Sequence, residues 1–352
     1  MRIIIAGYGN VGRNLHRMLE ERRAELLRRY SLEVSVVAIV DRGGALINER
    51  GVSYREAMAA KSKHGTVARA ERGRPGMDAA EVIDDVEAEA YVDLTLPNFE
   101  TAEPSLSNMN RAMARGMHVV TSNKAPLALA MPALLETAEY RRVRILYSGT
   151  VGGGTPFLSF ASKSLRGNRI VALRGILNGT SNYVLHKMEK EGVSLEEALD
   201  EARRLGYAEA DASLDVKGVD AAAKLVILAN HSLGLGRTLR DVRYSGIEGI
   251  GPQDLREAAR RGKALRLVAD SRSLTVGLAE VDADGPLNVP ENMNSVEFEV
   301  EELGKLYLIG KGAGGPETAA AVLRDLVELG SVASDEARAW WIPRRGPPAI
   351  RS

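Results

Sequence analysis

The sequence predicts an α/β fold: a Rossmann-type, doubly wound parallel sheet followed by a second, α+β domain. Three observations predict it. A short apolar strand, Arg2–Ala6, runs directly into Gly7-Tyr8-Gly9-Asn10-Val11-Gly12 and then into a helix. Strand-like and helix-like segments alternate from there to Tyr147, the pattern of a parallel sheet with crossover helices. From Gly149 a glycine-rich stretch breaks the alternation, and the chain beyond it mixes helices with short strands.

The first unit is the most specific. G-x-G-x-x-G between a strand and a helix allows a tight turn and close backbone approach to a pyrophosphate. The helix N-terminus behind it offers free N–H groups and partial positive charge. The helix is expected from about Arg13 to Arg29, and the next strand from Val34 to Val40, ending at Asp41. An acid there suits a ribose hydroxyl and NAD, whereas Arg42 directly after it suits the 2′-phosphate of NADP. Asp41 follows Gly12 by 29 residues, against the usual ~20; a long first helix accounts for the excess. Lys61 and Lys63 form a later basic patch that serves either a 2′-phosphate or plain solvation. Rossmann-type order then continues with a strand at Ala90–Leu96, a helix from Pro104 to Gly116 and a strand at Met117–Thr121. A helix at Pro132–Arg141 and a strand at Val143–Tyr147 follow. Asn98 and Lys124 fall near the carboxyl edge of that sheet, where ligands bind. For Lys124 the plain alternative is a surface lysine at a helix entry.

The hinge is Gly149-Thr150-Val151-Gly152-Gly153-Gly154-Thr155-Pro156. Beyond it, strands are expected at Arg169–Ile176, Leu274–Ala279 and Ser295–Val300. A helix at Leu195–Leu205 starts on a Ser194/Glu197 capping box and ends at Gly206. Leu306–Ile309 leads into Gly310-Lys311-Gly312-Ala313-Gly314-Gly315 and a helix to Leu329, apolar enough on one face to pack back on the first domain. The expected division is therefore a dinucleotide-binding domain of residues 1–148 and 311–340, a second domain of 149–310, and a tail of 341–352. Trp340 and Trp341, at the junction with that tail, suit covering an apolar patch or an interface.

Composition narrows the chemistry. The chain has 352 residues, zero formal net charge and no cysteine. Disulfides, thiolate metal sites and thiol nucleophiles are excluded, and nothing resembles the basic stripe of a nucleic-acid binder. No apolar run approaches the ~20 residues of a membrane helix, and MRIIIAGYGN is no signal peptide. A cytoplasmic protein is expected, with a small-molecule substrate and neither nucleic acid nor membrane as partner.

The stretch Gly206–Leu228 carries the chemistry. Glu209, Asp215 and Asp220 precede Lys224, and Asp220 and Lys224 are four apart, on one helix face. As a solvated surface pair this would contribute a few tenths of a kcal/mol. The neighbours, Ala221-Ala222-Ala223 and Leu225 to Ala229, instead make the helix apolar nearly all round. A buried ion pair often costs more to desolvate than it returns, so its use is expected to lie in acid–base work.

Taken together, GYGNVG, SNKAP, GTVGGGTP, GILNGTSNYVL, GYAEADASLDVKGVDAAAKLVIL and GKGAGGPETAAAV, in this order, resemble homoserine dehydrogenase from residue 1 to about 331. The resemblance implies NADPH- or NADH-linked interconversion of L-aspartate 4-semialdehyde and L-homoserine, on the way to threonine, methionine and isoleucine. It implies Lys224 as proton donor, Asp220 as its orienting partner and Lys124 between cofactor and substrate. Glu209, Asp215, Gly179, Thr180 and Tyr207 would meet substrate. Gly9, Asn10, Val11, Thr95, Lys124 and Gly314 would meet the cofactor, with Gly7, Gly12, Asp41 and Arg42 from the turn and strand end.

The resemblance further implies a monovalent cation, Na+ or K+, on the carbonyls of Val151, Gly153 and Thr155, but Ser148 stands where the family has a glutamate. It implies a second domain that is both catalytic and dimerising, hence a homodimer. A C-terminal regulatory domain or a fused aspartate kinase, found in longer members, is not expected. The related aspartate-semialdehyde dehydrogenase needs a cysteine nucleophile, which this chain lacks. A different class, a non-catalytic NAD(P)-binding sensor of the same fold, would leave the Lys124, Asp220 and Lys224 set without a purpose.

Overall fold

In the computed structural model, which describes residues 1–209 and 211–332, the chain builds two sheets. Trp340, Trp341 and the rest of the expected tail lie outside the described residues. The first sheet begins with β1 (Arg2–Ala6), whose Ile3, Ile4 and Ile5 are fully buried. The turn follows, then α1 (Asn10–Glu21) and α2 (Arg23–Tyr30). The single helix expected here is therefore two. It starts earlier, because Gly9 is already the extended residue before the first turn, and it breaks at Arg22, whose ψ of 9° leaves the helical basin. Next come β2 (Ser35–Asp41), β3 (Gly44–Ile47), α3 (Tyr54–His64), β4 (Gly73–Pro75), α4 (Ala79–Asp85) and β5 (Ala90–Asp93). Then follow α5 (Ser105–Ala114), β6 (His118–Thr121), α6 (Lys124–Arg141) and β7 (Ile145–Leu146).

The strand order is β4-β3-β2-β1-β5-β6-β7. From β2 to β7 all pairs are parallel, with Ile3 opposite Ala90 on one side and Val36 on the other. The hairpin partners β3 and β4 run antiparallel and extend one edge. They are short and rich in Gly and Pro, so no period betrayed them.

Of the other boundaries that moved, two bear on the site. β5 stops at Asp93 because the Asp93 side chain takes the next free amide, that of Thr95, at 3.0 Å. The α6 helix begins at Lys124, not at Pro132. Pro132 lacks an N–H and clashes with the preceding turn, so the helix kinks at Ala130 (φ −145°) and continues.

The second sheet has the order β13-β12-β8-β10-β11-β9. After α7 (Phe157–Ser159) the chain runs β8 (Ile170–Ile176), α8 (Gly179–Glu191), α9 (Leu195–Arg204), α10 (Ser213–Val216) and α11 (Val219–Leu233). It then runs β9 (Arg243–Tyr244), α12 (Pro252–Arg260), β10 (Lys263–Asp270), β11 (Thr275–Asp282), β12 (Met293–Val300) and β13 (Gly304–Lys311). The capping box of α9 forms as its sequence requires: Ser194 and Glu197 exchange hydrogen bonds. Helix α11 is buried from Asp220 to Ala229 without interruption. It joins the large core that runs under both sheets.

The last helix, α13 (Gly315–Val332), leaves the second sheet and returns to the first domain. Ala319, Val322, Leu323, Leu326 and Leu329 bury against Ile3, Ile5, Leu15 and Leu19.

Candidate active site

The β1–α1 turn is shaped by two close approaches. Gly7 has φ +94°, and a Cβ there would sit 2.5 Å from the Leu94 carbonyl carbon. A Cβ on Gly12 would sit 2.3 Å from the Gly7 oxygen. Beside Gly9, by contrast, the space is open, and among the described residues no side chain caps the first amides of α1. These free donors, with the partial positive charge of the helix end, fit a pyrophosphate. Asn10 and Val11 form the first turn. The N-terminus of α13 converges here: a Cβ on Gly315 would collide with the Asn10 amide at 2.4 Å, and Gly314 precedes it with φ +135°.

Asp41 ends β2 as expected, yet its carboxylate faces the protein. Oδ1 accepts from the Gly43 amide at 3.0 Å and the Thr66 hydroxyl at 2.6 Å. Oδ2 accepts from Lys61 Nζ at 2.6 Å and the Val67 amide at 3.0 Å. Burial raises this carboxyl's pKa, but the four donors outweigh burial and hold it below the usual range. A carboxylate offers about four lone-pair directions, and here all are taken. Lys61 is thus tied to Asp41 rather than being part of a free patch with Lys63. Arg42, one residue on, is exposed.

At the carboxyl ends of β5 and β6 lies a buried knot around Asp93. Its side chain accepts from the Thr95 amide and hydroxyl and from Ser105. Asn123 donates to the Thr95 hydroxyl at 3.0 Å and, through its Oδ1, caps α6 at Ala125. Burial pushes the Asp93 carboxyl up despite these donors. The knot fixes the two neighbours that matter, Thr95 and Lys124.

Lys124, at the start of α6, then reaches across to α11. Its Nζ lies 3.2 Å from Asp220 Oδ1, while Lys224 Nζ lies 2.8 Å from Asp220 Oδ2. Lys224 also donates to the Leu177 carbonyl at 2.9 Å, which accepts a second bond from Asn294 at 2.8 Å. The Asp220 side chain is 11% exposed and that of Lys224 8%, so this is no solvated surface pair. Burial acts to raise the Asp220 carboxyl, but Lys224 and Lys124 overcome it and hold the group far below its usual range. Asp215 goes the other way: burial first, then the Asp220 charge, push it up. Between them stands Asn178, whose Nδ2 is 2.5 Å from Asp215 Oδ1 and 2.9 Å from Asp220 Oδ2.

Around the cluster, Thr180 donates to the Tyr207 carbonyl at 2.8 Å, and Tyr207 meets Tyr183 edge to face. A Cβ on Gly179 would press 2.6 Å from the Asn292 oxygen. Lys124, Asp220, Lys224 and Asp215 are therefore assembled, with Gly179, Thr180 and Tyr207 on adjoining turns. Glu209 is exposed in the loop after α9. It makes no hydrogen bond or ion pair to the cluster among the described residues.

The hinge lacks the charged ligand that the resemblance implies for a monovalent cation. Ser148 offers no carboxylate, and its amide donates to Asp325 at 2.7 Å. Burial pushes the Asp325 carboxyl up to about 6, which makes its charge costly. The Thr155 carbonyl accepts from the Phe157 amide at 2.9 Å, and Arg324 Nη1 approaches the Gly154 carbonyl at 3.4 Å. A guanidinium thus already brings positive charge to the loop that carries Val151, Gly153 and Thr155.

Sequence reasoning passed over Asn178, Asp93, Asn123 and Asn294. For Asn178 a signal existed, since an asparagine directly before a helical run is a cap. Asn123, which caps α6 at Ala125, carried the same signal, whereas the Ser105 hydroxyl that meets Asp93 and the Leu177 carbonyl that Asn294 meets are remote in sequence.

A glycine turn opening a helix beside the first sheet, and a lysine–carboxylate cluster that joins α6 of that sheet to α11, are the layout of an NAD(P)-dependent oxidoreductase. Residues 156–327 match the family model for homoserine dehydrogenase, and residues 1–123 that for glutamate/leucine/phenylalanine/valine dehydrogenase. The chain is 40% identical to the homoserine dehydrogenase of Methanocaldococcus jannaschii, over 94% of this chain and 98% of that one. It belongs to the homoserine dehydrogenase family. An NAD(+)-dependent homoserine dehydrogenase of Pseudomonas canavaninivorans is 34% identical, over 93% and 96% of the two chains. Among solved structures, one assigned as a homoserine dehydrogenase of Archaeoglobus fulgidus superposes with a TM-score of 0.85 at 35% identity, covering 94% of this chain and 99% of that one. A hyperthermophilic archaeal homoserine dehydrogenase in complex with NADPH gives 0.79 at 28% identity, covering 93% and 96%.

Proposed function

We propose that this enzyme interconverts L-homoserine and L-aspartate 4-semialdehyde at the cluster of Lys124, Asp215, Asp220 and Lys224. The observation that carries this reading is that Lys124 of the first domain and Lys224 of the second meet on one carboxylate. A bound NAD(P)H supplies the hydride. Negative charge then develops on the aldehyde oxygen and must be neutralised.

Lys224 suits that task. An ammonium has three donors; one is spent on Asp220 and one on Leu177. The third remains for the substrate oxygen, to which Lys224 gives the proton. Asp220 keeps the ammonium oriented. Lys124 adds a second positive charge on the cofactor side. Asp215 Oδ1 is held by Asn178, and its other oxygen receives the substrate's ammonium. Glu209, in the exposed loop, is the remaining acid for that end of the substrate, and Gly179, Thr180 and Tyr207 wall the pocket.

We read the turn of Gly7, Gly9, Asn10, Val11 and Gly12, with Thr95 and Gly314, as the cradle of the dinucleotide. Asp41 has no acceptor left for a ribose hydroxyl. Arg42, exposed beside it, therefore favours a 2′-phosphate and NADP. No cation step is invoked. A homodimer through the second sheet and a cytoplasmic setting complete the reading. Among the described residues no helix is long and apolar enough to cross a membrane.

Homoserine oxidation at alkaline pH tests the whole, followed at the reduced-nicotinamide band with NADP and NAD in parallel. Turnover with NADP above NAD is the expected result. Binding of both cofactors without turnover would sink the enzyme and leave a nucleotide-binding protein. Sedimentation at micromolar concentration tests the dimer.

A further inference from the structure

Asn178 is 3% exposed and sits at the point where the two acids of the cluster come closest to one side chain. Its orientation is not arbitrary. Oδ1 accepts from the Ser181 amide at 2.8 Å, capping α8. A backbone N–H can only donate, so the oxygen must face Ser181 and the NH2 must face the carboxylates. The carboxylates, being ionised acceptors, require that same orientation. Each of the two amide hydrogens then reaches one carboxylate: Asp215 Oδ1 at 2.5 Å and Asp220 Oδ2 at 2.9 Å.

Without a donor between them, the buried Asp220 and the half-buried Asp215 would share a proton or swing apart. Lys224 and Lys124 both attend Asp220; among the described residues neither forms an ion pair with Asp215. Asn178 is therefore the hydrogen-bond donor that holds Asp215 against its neighbour's charge.

We propose that Asn178 is a positioning residue of the reaction: its amide hydrogens hold Asp215 and Asp220 in separate roles, one toward the substrate and one toward the lysines. This rests on the reading of the cluster as the homoserine site. The capping job and the bridging job are separable by substitution. Asp and Ser cap helices about as well as Asn. Asn178→Asp keeps the cap but turns an acceptor on two acceptors. Asn178→Ser keeps the cap but is too short to bridge.

The groups facing Asn178 are Asp215 from α10, Asp220 and Lys224 from α11, and Lys124, through Asp220, from α6. In Asn178→Asp, three carboxyls among two lysines leave one negative charge in excess. That charge is relieved by a proton at lower pH, where the new carboxyl, once protonated, can again donate to one neighbour.

The test is kcat/KM for homoserine across the alkaline and neutral range, with cofactor binding by nicotinamide fluorescence and melting temperature measured alongside. For Asn178→Asp a loss of roughly tenfold or more is expected at the alkaline end, shrinking as pH falls. For Asn178→Ser a loss of similar order, flat with pH and carried mostly in KM, is expected. Cofactor binding stays as in the parent in both. A second change, Asp215→Asn added to Asn178→Asp, restores the charge count and should flatten the pH profile again.

Parent-like kcat/KM and pH profiles in both single variants would overturn the proposal. So would losses that merely follow a drop in melting temperature and leave the pH profile unmoved. Failure of the parent itself to oxidise homoserine would overturn the site reading instead. An active parent with indifferent variants would remove only Asn178.

Discussion

Two aspartate–lysine pairs of nearly equal geometry stand in this molecule, Asp41–Lys61 at 2.6 Å and Asp220–Lys224 at 2.8 Å. The sequence marks both aspartates as functional, and both are held below their usual pKa by their lysines after burial is offset. The difference lies in what else each carboxylate touches. Asp41 is saturated by two amides and a hydroxyl from residues 43–67, and so fastens the β3 hairpin and the start of the next turn to the end of β2. Asp220 is held by the side chains of Lys224, Lys124 and Asn178, and each of these ends in a group with a donor to spare or a second charged neighbour. An ion pair whose remaining valences are closed by backbone is a fastening. One whose partners keep free donors can act on a third molecule.

Breaking the second pair should have the largest effect. Lys224→Ala is expected to lower kcat by about a thousandfold or more, in the range set by loss of a general acid, while NADP(H) titrated by fluorescence binds as before. Loss of binding along with turnover would make Lys224 a structural group. Asp220→Asn should follow with a loss of about a hundredfold, because both lysines lose the charge that orients them. Here the check is a kcat effect larger than the KM effect.

The first pair should respond in stability. Asp41→Ala strands donors from Gly43, Thr66, Val67 and Lys61, and a loss of about 2 kcal/mol in urea unfolding is expected, reduced from a fully buried figure because Lys61 is partly solvated. The NADP-linked kcat should stay within about twofold, a change too small to report a lost transition-state contact. A collapse of NAD and NADP affinity at unchanged stability would instead return Asp41 to the cofactor.

The smallest effects are pH-dependent and of opposite sign. Asp41 has a folded pKa below its unfolded one, so its contribution is present above the unfolded value and is lost as pH falls through the folded one. Asp41→Ala should therefore soften the acid limb of the stability curve. Asp325 has a folded pKa of about 6, above the unfolded value. The folded state then binds the extra proton, and stability falls as pH rises from about 4 to 6. Asp325→Asn should remove that slope and leave the protein more stable than the parent at pH 7. A parent curve that is flat through this window would exclude the shift.

Much of this was legible in the chain. The strand–turn–helix of residues 2–21 is local: apolar period, glycines with forced backbone, then a helix. The pairing of Asp220 with Lys224 is also local, being one helical turn. The burial that gives it meaning showed in the unbroken apolar run around it. What stayed hidden was either short or remote. β3 and β4 have too few residues to show a period. Lys124 and Asp220 stand far apart in the chain, and only the packing of α6 on α11 joins them. The closure of the Asp41 carboxylate stayed hidden for the same reason: Thr66 and Val67, which donate to it, lie far down the chain, and nothing at Asp41 itself announces them.

The return of α13 to the first domain has a consequence for how the protein comes into being. Ala319, Val322 and Leu326 fill the core that Ile3 and Leu15 begin, so a core opened by β1 is closed only by α13. Until the segment around Leu329 emerges, one flank of its sheet lacks a cover and exposes apolar surface, the condition in which nascent chains associate wrongly or recruit chaperones. The first strand and the last described helix, made far apart in time, must therefore meet before that flank of the sheet is covered.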